Sequence, residues 1–261
     1  VNVAAEPQFE ARLARDAEEL RAAQALRYEV FVAELGGDGP LVDHAARLER
    51  DAFDAHCDHL ILIDHAGGGA VVGAYRLLPG DRAAAAGGFY SAGEYDLAPL
   101  LASGRRLLEL GRSCLHADYR GGAAMFHLWT ALAEYVQDRG IELLFGVASF
   151  HGTDPAALAQ PLAFLHHFHL APEALRPRSL AGQSHRMDLL PAGAVDRRAA
   201  VAAIPALIKG YLRLGGTVGE GAFVDHAFNT TDILLLMDTA AMNARLRDLY
   251  ARRGPEGARR G

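Results

Sequence analysis

The chain carries one lysine, Lys209, one tryptophan, Trp129, and two cysteines, Cys57 and Cys114. Two thiols so far apart offer neither a disulfide framework nor the paired spacing of a zinc site. A reduced, cytoplasmic protein is expected. No apolar run approaches the roughly 20 residues that span a bilayer, and no secretory signal is visible. Positive charge is not in excess either: the net charge is −6 over 261 residues, which argues against a nucleic-acid partner. Internal repeats and low-complexity linkers are also missing. Hydrophobic residues make up 51% of the chain, which excludes disorder and permits a large core.

What is present alternates between strand and helix patterns. Phe9, Ala11 and Leu13 alternate with polar residues, as in a first strand. Asp16 with Glu19 three residues on opens a helix that should run to about Glu34 and stop at Gly36-Gly37. Residues 37–57 are polar and irregular. Leu60–Ile63 and Val71–Tyr75 flank three glycines and predict a hairpin. Residues 80–104 read as loop with a short helix near Pro99. Leu107–Leu115 and Leu143–Phe150 read as strands around a helix over Phe126–Val136. A helix from about Asp154, divided near Pro161, comes next. Gln183–Leu190 is a candidate strand, Pro205 starts a helix reaching Leu214, and Ile233–Met237 is a late strand. Thr239–Arg252 closes the chain as a helix. The order is α/β with a mixed sheet, read as one domain: a core over 1–190 and a C-terminal extension over 191–261 packed on it.

The densest chemistry lies in Leu108-Glu109-Leu110-Gly111-Arg112-Ser113, followed by Tyr119-Arg120-Gly121-Gly122. A strand carries an acid and a base, then a glycine turn leads into a helix. Such a turn holds a phosphate, because free N–H groups and the positive helix end converge on it. Acids gather between Asp43 and Asp58. Arginines gather at Arg105, Arg106, Arg112 and Arg120.

The order hairpin, strand, Arg-Gly-Gly turn, helix, strand resembles the GNAT superfamily of N-acyltransferases. That likeness implies a mixed central sheet with splayed strands, here 107–115 and 143–150, flanked by helices and followed by a C-terminal helical extension. A second set is similar to the acyl-homoserine-lactone synthases: Arg27-Tyr28-Glu29-Val30-Phe31, Asp51-Ala52-Phe53-Asp54, Arg76-Leu77-Leu78-Pro79, Phe89 and Glu109-Leu110-Gly111-Arg112. The tryptophan those synthases carry after the first motif is absent. A third set covers nearly the whole chain: Cys57-Asp58-His59-Leu60, Gly88-Phe89-Tyr90-Ser91, Glu109–Cys114, Phe145–Thr153, Leu207–Gly215 and Phe228–Asp232. It resembles the bacterial L-ornithine N-acyltransferases of ornithine-lipid synthesis, often labelled hemolysin-like.

The resemblance implies transfer of a 3-hydroxyacyl group from acyl carrier protein to the α-amine of ornithine. The phosphopantetheine arm of the carrier would be a co-substrate, and no covalently bound cofactor or metal is expected. Glu109 would be the base that takes the amine's proton; a structural ion pair with Arg76 or Arg112 is the competing reading. Asp51 and Asp54, with Glu49 nearby, would hold the δ-ammonium. Arg76 or Arg27 would hold the carboxylate, and Phe31 belongs to the same motif. A solvated acidic loop is the alternative for this cluster. Arg112, Ser113, Arg120, Gly121, Gly122 and Ser149 would meet the pantetheine arm or carrier. Arg105, Arg106, Arg112 and Arg120 would complement an acidic carrier surface. Cys114 reads as a small buried residue, and His166, His167 and His169 lack metal spacing. Two rivals stay open: a homoserine-lactone synthase using S-adenosylmethionine, and a non-catalytic acyl-carrier sensor. Residues 239–253, with Met242, Leu246, Leu249 and Tyr250 on one side, read either as a core-packed helix or as a peripheral contact with the inner face of the membrane.

Overall fold

A computed structural model describes residues 6–39 and 42–242. In chain order the elements are β1 (Phe9–Leu13), α1 (Ala17–Arg27), β2 (Asp58–Asp64), β3 (Ala70–Pro79), α2 (Gly80–Ala83), β4 (Tyr95–Asp96), α3 (Ala98–Leu101), β5 (Leu107–Leu115) and α4 (Ala124–Asp138). They continue as β6 (Leu143–His151), α5 (Ala159–His169), β7 (Arg178–Ser179), β8 (Ser184–His185), α6 (Arg197–Ala203), α7 (Ala206–Arg213), β9 (Thr217–Val218), β10 (Ala222–Asp225) and β11 (Thr230–Asp238). The fold is mixed α/β, as the alternation of patterns predicts.

The chain divides into two compact units. One holds residues up to Ala86 together with Leu110–Gly140; the other holds Gly87–Glu109 and the chain from Ile141. In the first unit β1 pairs antiparallel with β2, β2 with β3, and β3 neighbours the C-terminal part of β5. Ile61, Ile63, Ala74 and Cys114 meet Ala23, Leu26 and Val30 of the N-terminal helical segment in one buried cluster. Their sequence neighbours point the other way, as strand alternation requires. A Cβ on Gly73 would stand 2.8 Å from Leu115 and 2.9 Å from Leu128 of α4. Gly73 therefore sets how closely α4 can lie on the sheet.

In the second unit β5 and β6 run parallel over Leu107–Glu109 and Leu143–Phe145. β6 pairs along its length with β11, antiparallel, and β11 pairs with β10 and β9. The interior of β11 is buried throughout. That explains its unbroken apolar run, Ile233–Met237.

Four elements differ from the sequence reading. α1 stops being an α-helix at Arg27, and Tyr28–Glu34 form a π-helical turn. There Leu35 N–H donates to Val30 O, five residues back; the wider turn buries Tyr28, Val30 and Val32. The helix after Asp154 is divided before Pro161 rather than at it: a 3₁₀ turn over Pro155–Leu158 precedes α5. Pro161 lies in the first turn of α5, where its missing N–H costs nothing. Of the strand expected over 183–190, only Ser184–His185 pairs in register, with Phe223 and Ala222 of β10. Thr239–Met242 form turns and a bend rather than a helix start. The remainder of the expected closing helix lies outside the described residues.

Candidate active site

Six charged residues in the first unit close into a ring of alternating sign. Arg27 donates from Nε to Glu49 and from Nη1 to Asp54 Oδ1, the latter at 2.8 Å. Arg76 Nη1 donates to Asp51 at 2.6 Å and to Asp54 at 3.1 Å. Arg112 donates to Glu49 at 3.0 Å and to Asp51 at 3.4 Å. Each acid thus touches two guanidinium groups, and each arginine touches two acids. Gln24 adds a 2.9 Å bond to Asp54, and Arg76 lies over the Phe53 ring. Three positive and three negative groups leave no net charge.

Most of the ring is sealed. Arg27, Glu49, Asp54 and Arg76 are buried, while the side chains of Asp51 and Arg112 keep 18% and 13% of their exposure. Burial opposes the charge on Asp54, but Arg27 and Arg76 outweigh it and hold the carboxyl down at about 2. Such charges are tolerated inside a protein only when paired and hydrogen-bonded. Arg112 has a φ of 51° in the middle of β5, a conformation uncommon outside glycine. Its bonds to Glu49 and Asp51 hold it there, at a site where such strain is often found.

Glu109 is the last residue of β5 to pair with β6, opposite Phe145. Its side chain is buried. Oε2 accepts from Tyr90 N–H at 2.8 Å and Oε1 from Ser91 N–H at 2.7 Å. Phe89 packs edge-on against Phe145, ring centroids 5.0 Å apart. The carboxylate is thus a fixed acceptor at the start of the short 3₁₀ turn Tyr90–Gly93. The sequence reading missed the role of Tyr90 and Ser91. The only signal was their place in the Gly88–Ser91 motif, since loop residues give no periodicity.

The glycine turn leads directly into a helix. Gly121 has a φ of 78°, which suits glycine. Arg120, Gly121, Gly122 and Ala123 are exposed. α4 begins directly behind them, and among the described residues no side chain caps its N-terminus. Arg120 holds Glu34 through a two-pronged contact, 2.5 and 2.7 Å, and donates to Leu115 O. That contact lowers the Glu34 pKa.

The other expected residues are dispersed. Phe31 packs against the buried cluster under the sheet. Ser113 Oγ is buried without a hydrogen-bond partner among the described residues. Ser149 is exposed on β6, in register with Asp232 of β11. Arg105 is clamped on Asp238 at 2.7 and 2.8 Å, and Arg106 is exposed. Burial pushes the Cys114 thiol up to about 12, so it remains a thiol. His167 bonds Leu190 O at 2.8 Å. A group the sequence did not reveal joins Glu94, Asp225 and Asp232, whose carboxylate oxygens lie within 4.8 Å of one another.

A model of the acetyltransferase (GNAT) domain matches residues 26–130, a span that contains the ring, Glu109 and the glycine turn. Among solved structures the chain is similar to FeeM, an N-acyl amino acid synthase from uncultured soil microbes. There the TM-score is 0.55 and the identity 15%, over 95% of this chain and 98% of that one. It is also similar to BjaI, a CoA-dependent acyl-homoserine lactone synthase, with TM-score 0.53 and 17% identity over 95% and 89%. Domain match and fold likeness agree on a GNAT-type mixed α/β fold.

Sequence relatives narrow the class. The L-ornithine N(alpha)-acyltransferase of Rhodobacter capsulatus is 66% identical over 94% of this chain and 95% of its own length. That of Agrobacterium fabrum is 42% identical over 93% and 85%. The chain belongs to the L-ornithine N(alpha)-acyltransferase family. Among the described residues no helix is long and apolar enough to cross a membrane.

Proposed function

We propose that this chain transfers a 3-hydroxyacyl group from the phosphopantetheine thioester of acyl carrier protein to the α-amine of L-ornithine. The product is a lyso-ornithine lipid. The amine nitrogen attacks the thioester carbonyl, the C–N bond forms, the C–S bond breaks, and the carrier leaves as its thiol. Glu109 is the base for the proton the amine loses.

One observation carries the donor half of this reading: the exposed Arg120–Ala123 turn runs into an uncapped N-terminus of a long helix. That arrangement suits the phosphate of a pantetheine arm. Arg106 and Arg120, both exposed, are the cations proposed to meet the acidic carrier. The amine half rests on the names of relatives at 66% and 42% identity. Within the ring, Asp51 and Arg112 form the accessible edge. We assign the substrate's δ-ammonium to Asp51 and its carboxylate to Arg112, while Arg27, Glu49, Asp54 and Arg76 hold that edge in place. The product is amphipathic, so release to a membrane surface follows from its chemistry.

The test is a purified assay. Labelled ornithine or labelled S-adenosylmethionine is offered with 3-hydroxyacyl carrier protein, the unsubstituted acyl carrier protein, or the matching coenzyme A thioester. Mass spectrometry should find N-acylornithine from the hydroxyacyl carrier. Equal rates with the coenzyme A thioester would remove the carrier from the reading. Product from S-adenosylmethionine alone would replace ornithine. No product with either amine would leave a sensor.

A further inference from the structure

Among the described residues five large hydrophobic side chains are exposed, and three of them gather in one place: Phe168 at 37%, Leu189 at 41% and Val201 at 40%. α5 and α6 pack together, and Arg197 lies over the Phe168 ring, 4.2 Å from its centroid. Val201 is one turn further along α6, on the same side as Arg197. His167 bonds Leu190 O, which brings Leu189 to the same end of α5. Ala200 and Ile204, both buried, hold α6 down. Its outer side carries no polar group beyond the first turn. The ten residues 199–208 have no polar side chain, yet Ala199, Val201, Ala202, Ala203 and Ala206 are exposed. A short helix that turns such a face to water marks a contact surface.

Cations frame that face. Arg197 and Arg198 precede it, and Lys209 and Arg213 follow it. Lys209 Nζ donates to Ala202 O at 3.4 Å, near the end of α6, and Arg213 stands one turn beyond Lys209 on α7. Among the described residues none of these four is ion-paired, whereas Arg178 and Arg186 are held by Glu220 and Asp188. Residues 197–213 contain no acid, in a chain whose net charge is −6. The acid just before them, Asp196, is spent on capping α6.

We infer that this face docks on an anionic phospholipid surface. Arginine and lysine meet the head groups, and Phe168, Leu189 and Val201 enter the apolar boundary beneath them. The sign of the charge selects this occupant: in a symmetric pair of copies the cations would face their own counterparts. The surface is a different segment from residues 239–253. It goes beyond the proposed reaction and does not depend on which acyl donor is used.

The test is co-flotation of the full chain with vesicles. No substrate is present, so the result is separate from that of the acyl-transfer assay. Vesicles of phosphatidylglycerol and phosphatidylethanolamine should retain the chain at least about tenfold better than phosphatidylcholine at low salt, and added salt should narrow the gap. The double variant Arg197→Gln, Arg198→Gln should lose about tenfold or more of that binding. Val201→Glu should lose a similar factor. Leu101→Glu puts the same charge on an exposed hydrophobic position of α3 and should bind as wild type does. All these positions are exposed, so thermal midpoints should stay together. Equal retention on the two kinds of vesicle overturns the inference. So does wild-type binding in both the double variant and Val201→Glu, since lipid would then be held elsewhere. A loss in Leu101→Glu as large as in Val201→Glu would make net charge, not this face, the cause. A wild-type dimer that Val201→Glu converts to a monomer, with vesicle binding untouched, would make the face a contact between copies and overturn it too.

Discussion

Two carboxylate environments occur here, one in each unit. The acids of the ring are balanced by arginines, charge against charge, with four of six members buried. Glu109 accepts hydrogen bonds from the backbone N–H groups of Tyr90 and Ser91. Full charges packed at this density are structural first: remove one and its neighbours are stranded in low dielectric. Backbone amides fix the position of a carboxylate through directional hydrogen bonds. The difference agrees with the proposed division, in which the ring is architecture and Glu109 carries the chemistry.

The strongest way to break that division is Arg27→Met. It leaves Glu49 and Asp54 buried with one guanidinium fewer each, and breaking a buried pair in this way costs about 3–5 kcal/mol. Urea unfolding should show a loss of that order. A loss below about 1 kcal/mol would mean that the ring is not the scaffold it resembles. Glu109→Gln should show the reverse balance. Turnover should fall about 100-fold, equivalent to about 2.7 kcal/mol. Stability should fall less, by about 1–2 kcal/mol, because the amide can turn only its oxygen to one of the two N–H donors. A rate loss under about tenfold would remove Glu109 as base.

The sequence made some of this division visible and hid the rest. β5 was legible to the residue, Leu107–Leu115, because its apolar run is bounded by Gly104 and by the turn before Gly121. The same holds for the hairpin β2–β3, marked by three glycines. Motif order brought Arg27, Asp51, Asp54 and Arg76 together as substrate contacts, with Glu49 added as a nearby acid, and set Arg112 apart with the pantetheine arm. It did not show who pairs with whom, since the ring joins segments up to 85 positions apart, Arg27 to Arg112. Ser91 was hidden for another reason. A serine in a Gly-rich loop normally faces water, and only the packing around it shows otherwise. The π-helical turn after Arg27 was equally silent, because a shift from i−4 to i−5 bonding is chosen by the burial of Tyr28, Val30 and Val32.

Acid sharpens the comparison. The Asp54 carboxyl is depressed from its ordinary value to about 2. A depressed carboxylate contributes stability that is present above its unfolded pKa of about 4 and is lost as pH falls through its folded value. The ring should therefore lend about 2 kcal/mol through Asp54 alone, fading between about pH 4 and pH 2. Unfolding free energies measured down that range should slope accordingly, and Asp54→Asn should flatten the slope. An unchanged slope in that variant would mean that other carboxylates dominate the acid limb.

The smallest expected effect on stability belongs to the exposed cation at the glycine turn. Arg120 and Glu34 form a two-pronged contact, but their side chains keep 41% and 42% of their exposure. Solvent screens such a pair, and its contribution is under about 1 kcal/mol. Arg120→Ala should therefore barely move the unfolding midpoint. The carrier should notice it: KM for the acyl carrier protein should rise severalfold at low salt, and the difference from wild type should narrow as salt screens the encounter. KM for ornithine should not move. Were Arg120→Ala to unfold the chain as Arg27→Met does, exposure would be a poor guide to which arginines build this protein. Were it to leave the carrier KM untouched at low salt, the turn before α4 would be a chain reversal and nothing more.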